Sequence, residues 1–276
     1  MTAFKHAVYN CGTDMLELDC QLTADGEVVV AHDPHLGRIA GVNRFISDFN
    51  YEDLPPIKSS LCLDFNRDFV FNCENNPPDR RIPLLREVFE QFPNVPVNVD
   101  VKQHNPELMT KIACLMRQYQ REQITPWGNF RDSVCRMCYK HNPDIPMIFS
   151  LRRAAVLLVY FYTGLLPFVP LEETCLELLM PSVIIDNPHV MYGSNKKQRI
   201  LLRIFDKLLM KRCLFEHLKK RGIHVYCWVL NSDSEFERAF KLGVDGVMTD
   251  FPSKLRRFLD EHPQYAQNSV KPTNCR

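Results

Sequence analysis

The sequence carries almost no net charge. Its 276 residues include 34 lysines and arginines against 33 aspartates and glutamates, for +1 at pH 7, so no global field draws in nucleic acid. No Asn-x-Ser/Thr sequon occurs, which argues against a secreted glycoprotein. Residues 1–12 show no charged stretch followed by an apolar run, so no signal peptide is expected. A Gly-rich phosphate loop, a Gly-x-Ser-x-Gly elbow and a His-Glu-x-x-His pair are missing as well. The 11 cysteines are odd in number and scattered, as expected of a reducing compartment. Cys135 and Cys138 have the spacing of half a zinc site, but no second pair or nearby histidine pair completes it, and they read as helix surface.

What is present is alternation. Hydrophobic residues make up 45% of the chain, enough for one large domain or two small ones. "MTAFKHAVYNCG" reads as a helix that Thr2 can cap and Gly12 stops. "MLELD" and "EVVVAHD" read as strands joined by an "ADG" turn. Residues 34–80, marked by "CENNPPD", form a loop or small insertion. The helix "IPLLREVFEQF", the strand "VPVNVDVK" and the helix "PELMTKIACLMRQYQ" follow. "ITPWGNF" is a weak strand, "RDSVCRMCYK" a helix, and "IPMIFSL" and "PSVIID" are strands. A long basic helix is expected across 196–221, then the strand "GIHVYCWVLN", the helix "DSEFERAFKLG", the short strand in "VDGVMTDFP" and the helix "SKLRRFLDE". The pattern predicts a parallel sheet and, from the number of units, a closed (β/α)8 barrel over residues 1–262, with a disordered tail at 263–276. Such a barrel begins with a strand, and this chain begins with a helix, so one strand is unaccounted for.

Side chains two apart on a strand share a face, so Glu17 and Asp19 point together, away from Leu16, Leu18 and Cys20. In a barrel the active site is built at the C-terminal ends of the strands. A carboxylate pair facing inward there needs a cation, and oxygen ligands of this kind suit Ca²⁺ or Mg²⁺. Both acids could equally sit on a solvated edge strand. His32 closes the next apolar run and can move protons near neutral pH, though an ordinary strand-end histidine reads the same way. Asp100 and Lys102 share a face in "VDVK", as a metal ligand and a phosphate contact or as a plain salt bridge. Trp228 in "YCWVLN" is a substrate platform or, more often for such a residue, core.

"ELDCQLTADGEVVVAHD", "NVDVK", "YCWVLN" and "GVDGVMTDFP", in this order and over nearly the whole chain, resemble the glycerophosphodiester phosphodiesterase family. "TGLLPFVPL" and "LLMKRCLFEHLKKRGI" resemble its membrane-associated animal subfamily, which acts as lysophospholipase D. The resemblance implies a (β/α)8 barrel with a small insertion after the second strand. It implies a divalent cation, Ca²⁺ or Mg²⁺, on Glu17, Asp19 and Asp100, with His32 as one of two catalytic histidines. Lys102 matches a phosphate-site lysine, and Trp228 falls in a substrate-binding position. Many family members carry Glu where this chain has Asp100, and the shorter arm reaches less far.

The family's first strand ends in a His-Arg-Gly tripeptide, which this sequence does not contain. His6 and His35 cannot replace that histidine by position. The expectation is therefore an N-terminally shortened, impaired chain whose barrel lacks its first strand.

Two features suggest a membrane surface. Residues 154–171, "AAVLLVYFYTGLLPFVPL", are uncharged but broken by Gly164, Pro167 and Pro170, which fits a re-entrant or interfacial segment better than a span. The basic helix could lie on anionic lipid. The resemblance implies an endoplasmic reticulum or perinuclear location with the catalytic face toward the cytosol. Two readings follow: a hydrolase of lysophospholipids and glycerophosphodiesters, or a non-catalytic membrane-associated barrel fragment that binds lipid or a partner.

Overall fold

In strand β1 (Leu16–Leu22) Leu16, Leu18 and Cys20 are buried while Glu17 is exposed and Asp19 half-buried, the two-residue alternation expected of a strand with one apolar face. The protein is described by a computed structural model covering residues 1–62, 69–72, 80–185 and 195–266. It divides into two units, the first Met1–Tyr9 with Thr13–Ser150, the second Asn10–Gly12 with Leu151–Arg276.

The first unit opens with α1 (Thr2–Lys5), continued to Asn10 by wider helical turns, and Gly12 ends the run at a φ of +65°. Thr2 lies inside the helix, and Met1 takes the cap position. β1 turns back through Thr23–Glu27 into β2 (Val28–Val30), which pairs antiparallel with it from Cys20–Val30 to Leu22–Val28. Gly26 is required in that turn. Its φ is +79°, and a Cβ there would stand 2.2 Å from Lys111 Nζ, which donates to the Gly26 carbonyl at 2.6 Å.

The insertion holds α2 (Gly37–Ala40) and a small hairpin of β3 (Ser60–Cys62) and β4 (Val70–Asn72). Its own apolar cluster of Leu36, Ile39, Ile46 and Tyr51 packs on Val29, the far face of β2. The "CENNPPD" stretch lies outside the described residues. Next come α3 (Leu85–Gln91), β5 (Val97–Val101), α4 (Pro106–Gln118), β6 (Trp127–Gly128) and α5 (Asp132–His141). Asn105 caps α4 by accepting from the Glu107 and Leu108 amides, with Pro106 at the first helical position, a cap worth about 1 kcal/mol. The sheet order is β2-β1-β5-β6, with β1, β5 and β6 parallel.

The second unit contains α6 (Leu151–Tyr162), β7 (Cys175–Leu179), α7 (Pro181–Ile185), α8 (Lys196–Leu209) and α9 (Arg212–Lys220). β8 (His224–Trp228), α10 (Asp233–Leu242), β9 (Gly246–Val247), α11 (Pro252–Glu261) and α12 (Pro263–Ala266) follow. β7, β8 and β9 form a parallel sheet in that order. Parallel strands separated by helices in both units are the repeat of a (β/α)8-type fold.

Several elements differ from the sequence reading. "PSVIID" begins α7, because Pro181 has no amide to give a ladder but suits a first helical position; the strand is the preceding Cys175–Leu179. "IPMIFSL" shrinks to one bridge, Met147 to Trp127. Cys135 and Cys138 lie on a helix but are buried, not surface. The 196–221 helix breaks after Leu209. At about 100° per residue, Leu202 and Leu209 of α8 would point roughly opposite Leu214, Phe215 and Leu218 of α9 on one straight helix. The break lets both sets turn inward. Of the expected tail, Pro263–Ala266 is helical and 267–276 lies outside the described residues. Among the described residues no helix is long and apolar enough to cross a membrane.

Candidate active site

Parallel pairing of β1 and β5 sets Asp19 directly beside Asp100. Both side chains lie on the face opposite the apolar core of Leu18, Cys20, Val99 and Val101. Two adjacent, half-buried carboxylates require a cation, and Lys102, two residues beyond Asp100, supplies it. Its Nζ lies 2.8 Å from Asp19 Oδ1 and 2.6 Å from Asp100 Oδ2. Burial pushes the Asp19 carboxyl above its ordinary value, opposed by the Lys102 charge and hydrogen bond. Burial alone would lower the Lys102 ammonium, but Asp100 and Asp19 outweigh it and raise the group above the ordinary lysine value.

Asn129 completes the pair from the third strand. Register places Gly128 opposite Asp100, and the Asn129 side chain, one residue on, donates to Asp100 Oδ1. It is buried and fixed in place: its Oδ1 accepts from Arg131 N at 2.9 Å, and its carbonyl accepts from Cys135 Sγ at 2.9 Å. That contact also explains the burial of Cys135. Sequence reasoning missed Asn129 because "ITPWGNF" is a weak strand signal and its register against β5 is set by distant residues.

The hairpin brings His32 to the end of β2, beside the middle of β1. Ala31 N donates to Asp19 O at 2.9 Å, one step beyond the last paired residue, and the buried Gln21 side chain donates to His32 O at 3.1 Å. Gln103 Nε2 holds Gln21 Oε1 at 2.8 Å, tying the two strand ends together. The exposed His32 ring meets Asp33 Oδ1 through Nδ1 at 2.8 Å. Arg38 grips Asp33 with two donors, at 2.6 and 3.0 Å. Those bonds, with the smaller help of His32, hold the Asp33 carboxyl below the ordinary aspartate value.

The structure thus brings Asp19, Asp100 and Lys102 into one cluster, with His32 following the strand that pairs with β1. Glu17 is exposed on the same face of β1, two residues before Asp19 and opposite Asn98. Among the described residues no group of three or more His, Cys, Asp or Glu is assembled to hold a metal ion. The two carboxylates nonetheless have the right chemistry for a hard cation, since the space between them already takes an ammonium. Trp228, half-buried at the end of β8, belongs to the second unit. His6 lies in the helical run at the start of the chain, and His35 accepts from Gly37 N at 3.1 Å.

The model of the glycerophosphoryl diester phosphodiesterase family matches residues 1–254. The chain is 51% identical to human lysophospholipase D GDPD1 over 261 residues, 94% of this chain and 81% of the relative. It is 38% identical to human lysophospholipase D GDPD3 over 257 residues, 93% of this chain and 79% of the relative. The stretches "TGLLPFVPL" and "LLMKRCLFEHLKKRGI" suggest the third-numbered member, but identity over the whole match favours GDPD1 of these two. The crystal structure of glycerophosphodiester phosphodiesterase from Thermotoga maritima superposes with a TM-score of 0.60 at 17% identity, covering 93% of this chain and 89% of that one, a likeness of fold.

Proposed function

The chain belongs to the glycerophosphoryl diester phosphodiesterase family, and on that footing we propose that it acts as a hydrolase of the lysophospholipase D type. Lysophospholipids such as lysophosphatidylcholine are cleaved to lysophosphatidic acid and the head-group alcohol, and glycerophosphodiesters to glycerol phosphate and alcohol. The observation that carries this reading is the Asp19–Lys102–Asp100 cluster beside His32 at neighbouring strand ends.

Lys102 brings positive charge to a phosphoryl oxygen as negative charge grows there. His32, oriented through Nδ1 by Asp33, moves a proton at Nε2, either from the attacking hydroxyl or to the leaving alkoxide. When the attacker is the substrate's own glycerol hydroxyl, its oxygen bonds phosphorus, the bond to the head-group oxygen breaks, and water later opens the cyclic phosphate. Asp19 and Asp100, with Glu17 as a third carboxylate on the same face, are the residues that would hold Ca²⁺ or Mg²⁺. Such an ion, when bound, adds further neutralisation of phosphoryl charge. Trp228 enters the proposal as a substrate-binding side chain through the family resemblance alone.

We place the chain on a membrane surface of the endoplasmic reticulum or perinuclear region, facing the cytosol, with the uncharged 154–171 stretch and the basic α8 in support. The second reading is a non-catalytic lipid- or partner-binding protein, and the exposed apolar side chains of α8, Ile200, Leu201 and Ile204, favour it. Choline release from lysophosphatidylcholine by the purified chain, with Ca²⁺, Mg²⁺ or chelator, decides between the two. Release that His32→Ala removes supports the hydrolase. A folded chain that binds the lipid and releases nothing supports the second reading.

A further inference from the structure

His32 and Asp33 leave β2 together, and five residues after Asp33 the insertion's α2 presents Arg38. The guanidinium meets the Asp33 carboxylate side-on. Its Nε donates to Oδ2 at 2.6 Å and its Nη2 to Oδ1 at 3.0 Å. Oδ1 also faces His32 Nδ1 at 2.8 Å. A guanidinium fork of this kind fixes the plane of a carboxylate as well as matching its charge, which a single ammonium cannot do. Its hydrogen bonds also hold the Asp33 carboxyl below the ordinary aspartate value, so the group stays an acceptor. An isolated surface pair of this type contributes little. Here the carboxylate has a third partner, and that partner is the imidazole.

Arg38 can act on Asp33 only if its own backbone is held, and the insertion holds it. Lys58 Nζ donates to the Gly37 and Arg38 carbonyls at 3.1 and 2.9 Å, and Lys58 N donates to Ile39 O at 2.8 Å. Gly41, at a φ of +76°, ends α2. Leu36 and Ile39, on either side of the Gly37–Arg38 pair, are buried in the apolar cluster that packs on Val29. The residues between Asp33 and Arg38 are tied down as well. Ile46 N donates to Pro34 O at 2.8 Å and Leu36 N to Arg44 O at 2.9 Å, while His35 stands edge-on to the Phe45 ring at 5.0 Å. The Asp33 side chain is 21% exposed and the His32 ring 57%. The anchor is enclosed, and the ring it holds is open.

We propose that Arg38 is a positioning residue for His32. By gripping both oxygens of Asp33 it keeps Oδ1 in place as the acceptor of an Nδ1–H proton. A neutral imidazole carries one ring proton, so a proton kept on Nδ1 makes Nε2 the nitrogen that accepts the next one. The insertion, through α2 and Lys58, then sets the tautomer of a residue on the strand it interrupts. Arg38 itself touches no reacting atom. The proposal deepens the reading of His32 as the proton-transfer group and rests on it.

The test reads His32 both with and without turnover. In protein labelled with ¹⁵N-histidine, the ring-nitrogen shifts of neutral His32 report its tautomer. The parent chain should show the Nδ1–H form in excess, and Arg38→Met should lose that excess. In choline release from lysophosphatidylcholine, Arg38→Met should lower kcat about tenfold with little change in KM. Arg38→Lys keeps the charge without the fork and should recover little of the loss in either measurement; it carries the test alone if Arg38→Met does not fold. Arg38→Met combined with Asp33→Asn should be no slower than Asp33→Asn, because both act through one imidazole. Circular dichroism and melting establish which variants are folded. An unaltered tautomer in a folded Arg38→Met chain, full recovery by Arg38→Lys, or additive losses in the double variant would overturn the proposal. A tautomer change without turnover in the parent chain sinks only the hydrolase. Turnover with an unaltered tautomer sinks only the positioning role.

Discussion

Asp19 and Asp100 stand side by side on parallel strands and share one ammonium, Lys102 Nζ, at 2.8 and 2.6 Å. The pairing makes Lys102 structural before it is anything else. Lys102→Met leaves two adjacent carboxylates without their cation and should destabilise the first unit at neutral pH by about 2 kcal/mol. The sign of the pH effect follows. Burial already raises the Asp19 carboxyl and Lys102 opposes that rise, so without the lysine the neutral acid is favoured further. The deficit should shrink as pH falls from 7 toward 4. In the parent chain the raised Lys102 contributes in full below the ordinary lysine value, and its contribution is lost only as pH climbs through the raised one. Urea denaturation at pH 4.5, 7 and 9 measures the deficit, and the lysine contribution should still be complete at pH 9; a deficit independent of pH would mean that the carboxylates are not coupled to the lysine.

The half of the site on β1 and β5 was legible because a strand's two-residue period assigns faces without any tertiary information. Glu17, Asp19, Asp100 and Lys102 were placed correctly on one side of their strands by that rule alone. What it could not give was distance. Glu17 shares the face with Asp19 but stays exposed, and register, not spacing, chose Asp19 as the neighbour of Asp100. Asn129 and the Gln21–Gln103 bridge were hidden for the same reason, since each partnership joins strand ends far apart in sequence. The α8–α9 break was hidden by a continuous apolar period, Ile200, Ile204, Leu208, Phe215 and Leu218, which suits one long face. The structure turns the second part inward and leaves the first exposed.

The orientation of His32 depends on Asp33. Asp33→Asn should lower kcat of the active protein about 10–10²-fold with little change in KM, less than the 10²–10⁴-fold expected for His32→Ala. Asp33 itself should not titrate within the working range. Arg38 holds it below the ordinary aspartate value, so its stabilising contribution persists above that value and is lost only as pH falls through the depressed one. An unchanged kcat in Asp33→Asn would mean that Asp33 does not orient His32 for the reaction.

Divalent cation binding can be read without turnover. If Asp19 and Asp100 hold the ion, Ca²⁺ or Mg²⁺ at a hundred times its dissociation constant should stabilise the fold by about 2.7 kcal/mol. Asp19→Asn should abolish the accompanying rise in Tm. Asn129→Ala should weaken it by releasing Asp100 from its fixed position. Glu17→Gln is the informative variant, because Glu17 is exposed on the face that carries the two aspartates. Loss of the metal effect there would mean that the ion draws Glu17 in, and a full effect would mean that the ion needs only the two aspartates. A Tm rise that survives Asp19→Asn would place the ion elsewhere.

The last prediction concerns the family's His-Arg-Gly strand. On the side of β1 away from β5, β2 pairs only Cys20–Leu22, and no strand of the described residues pairs with Leu16–Leu18. That edge can receive one more strand. Adding a segment that ends in His-Arg-Gly ahead of residue 1 should raise stability by pairing those backbone groups. It should raise turnover about 10²–10⁴-fold by a separate route, since the new histidine supplies the second proton transfer and the arginine a bidentate phosphate contact. Changing the added histidine to alanine separates the two effects: the gain in Tm should remain and most of the gain in kcat should disappear. Equal turnover by residues 1–276 with and without the segment would show that His32 and the Asp19–Lys102–Asp100 cluster suffice, and that the second histidine is not needed for this chemistry.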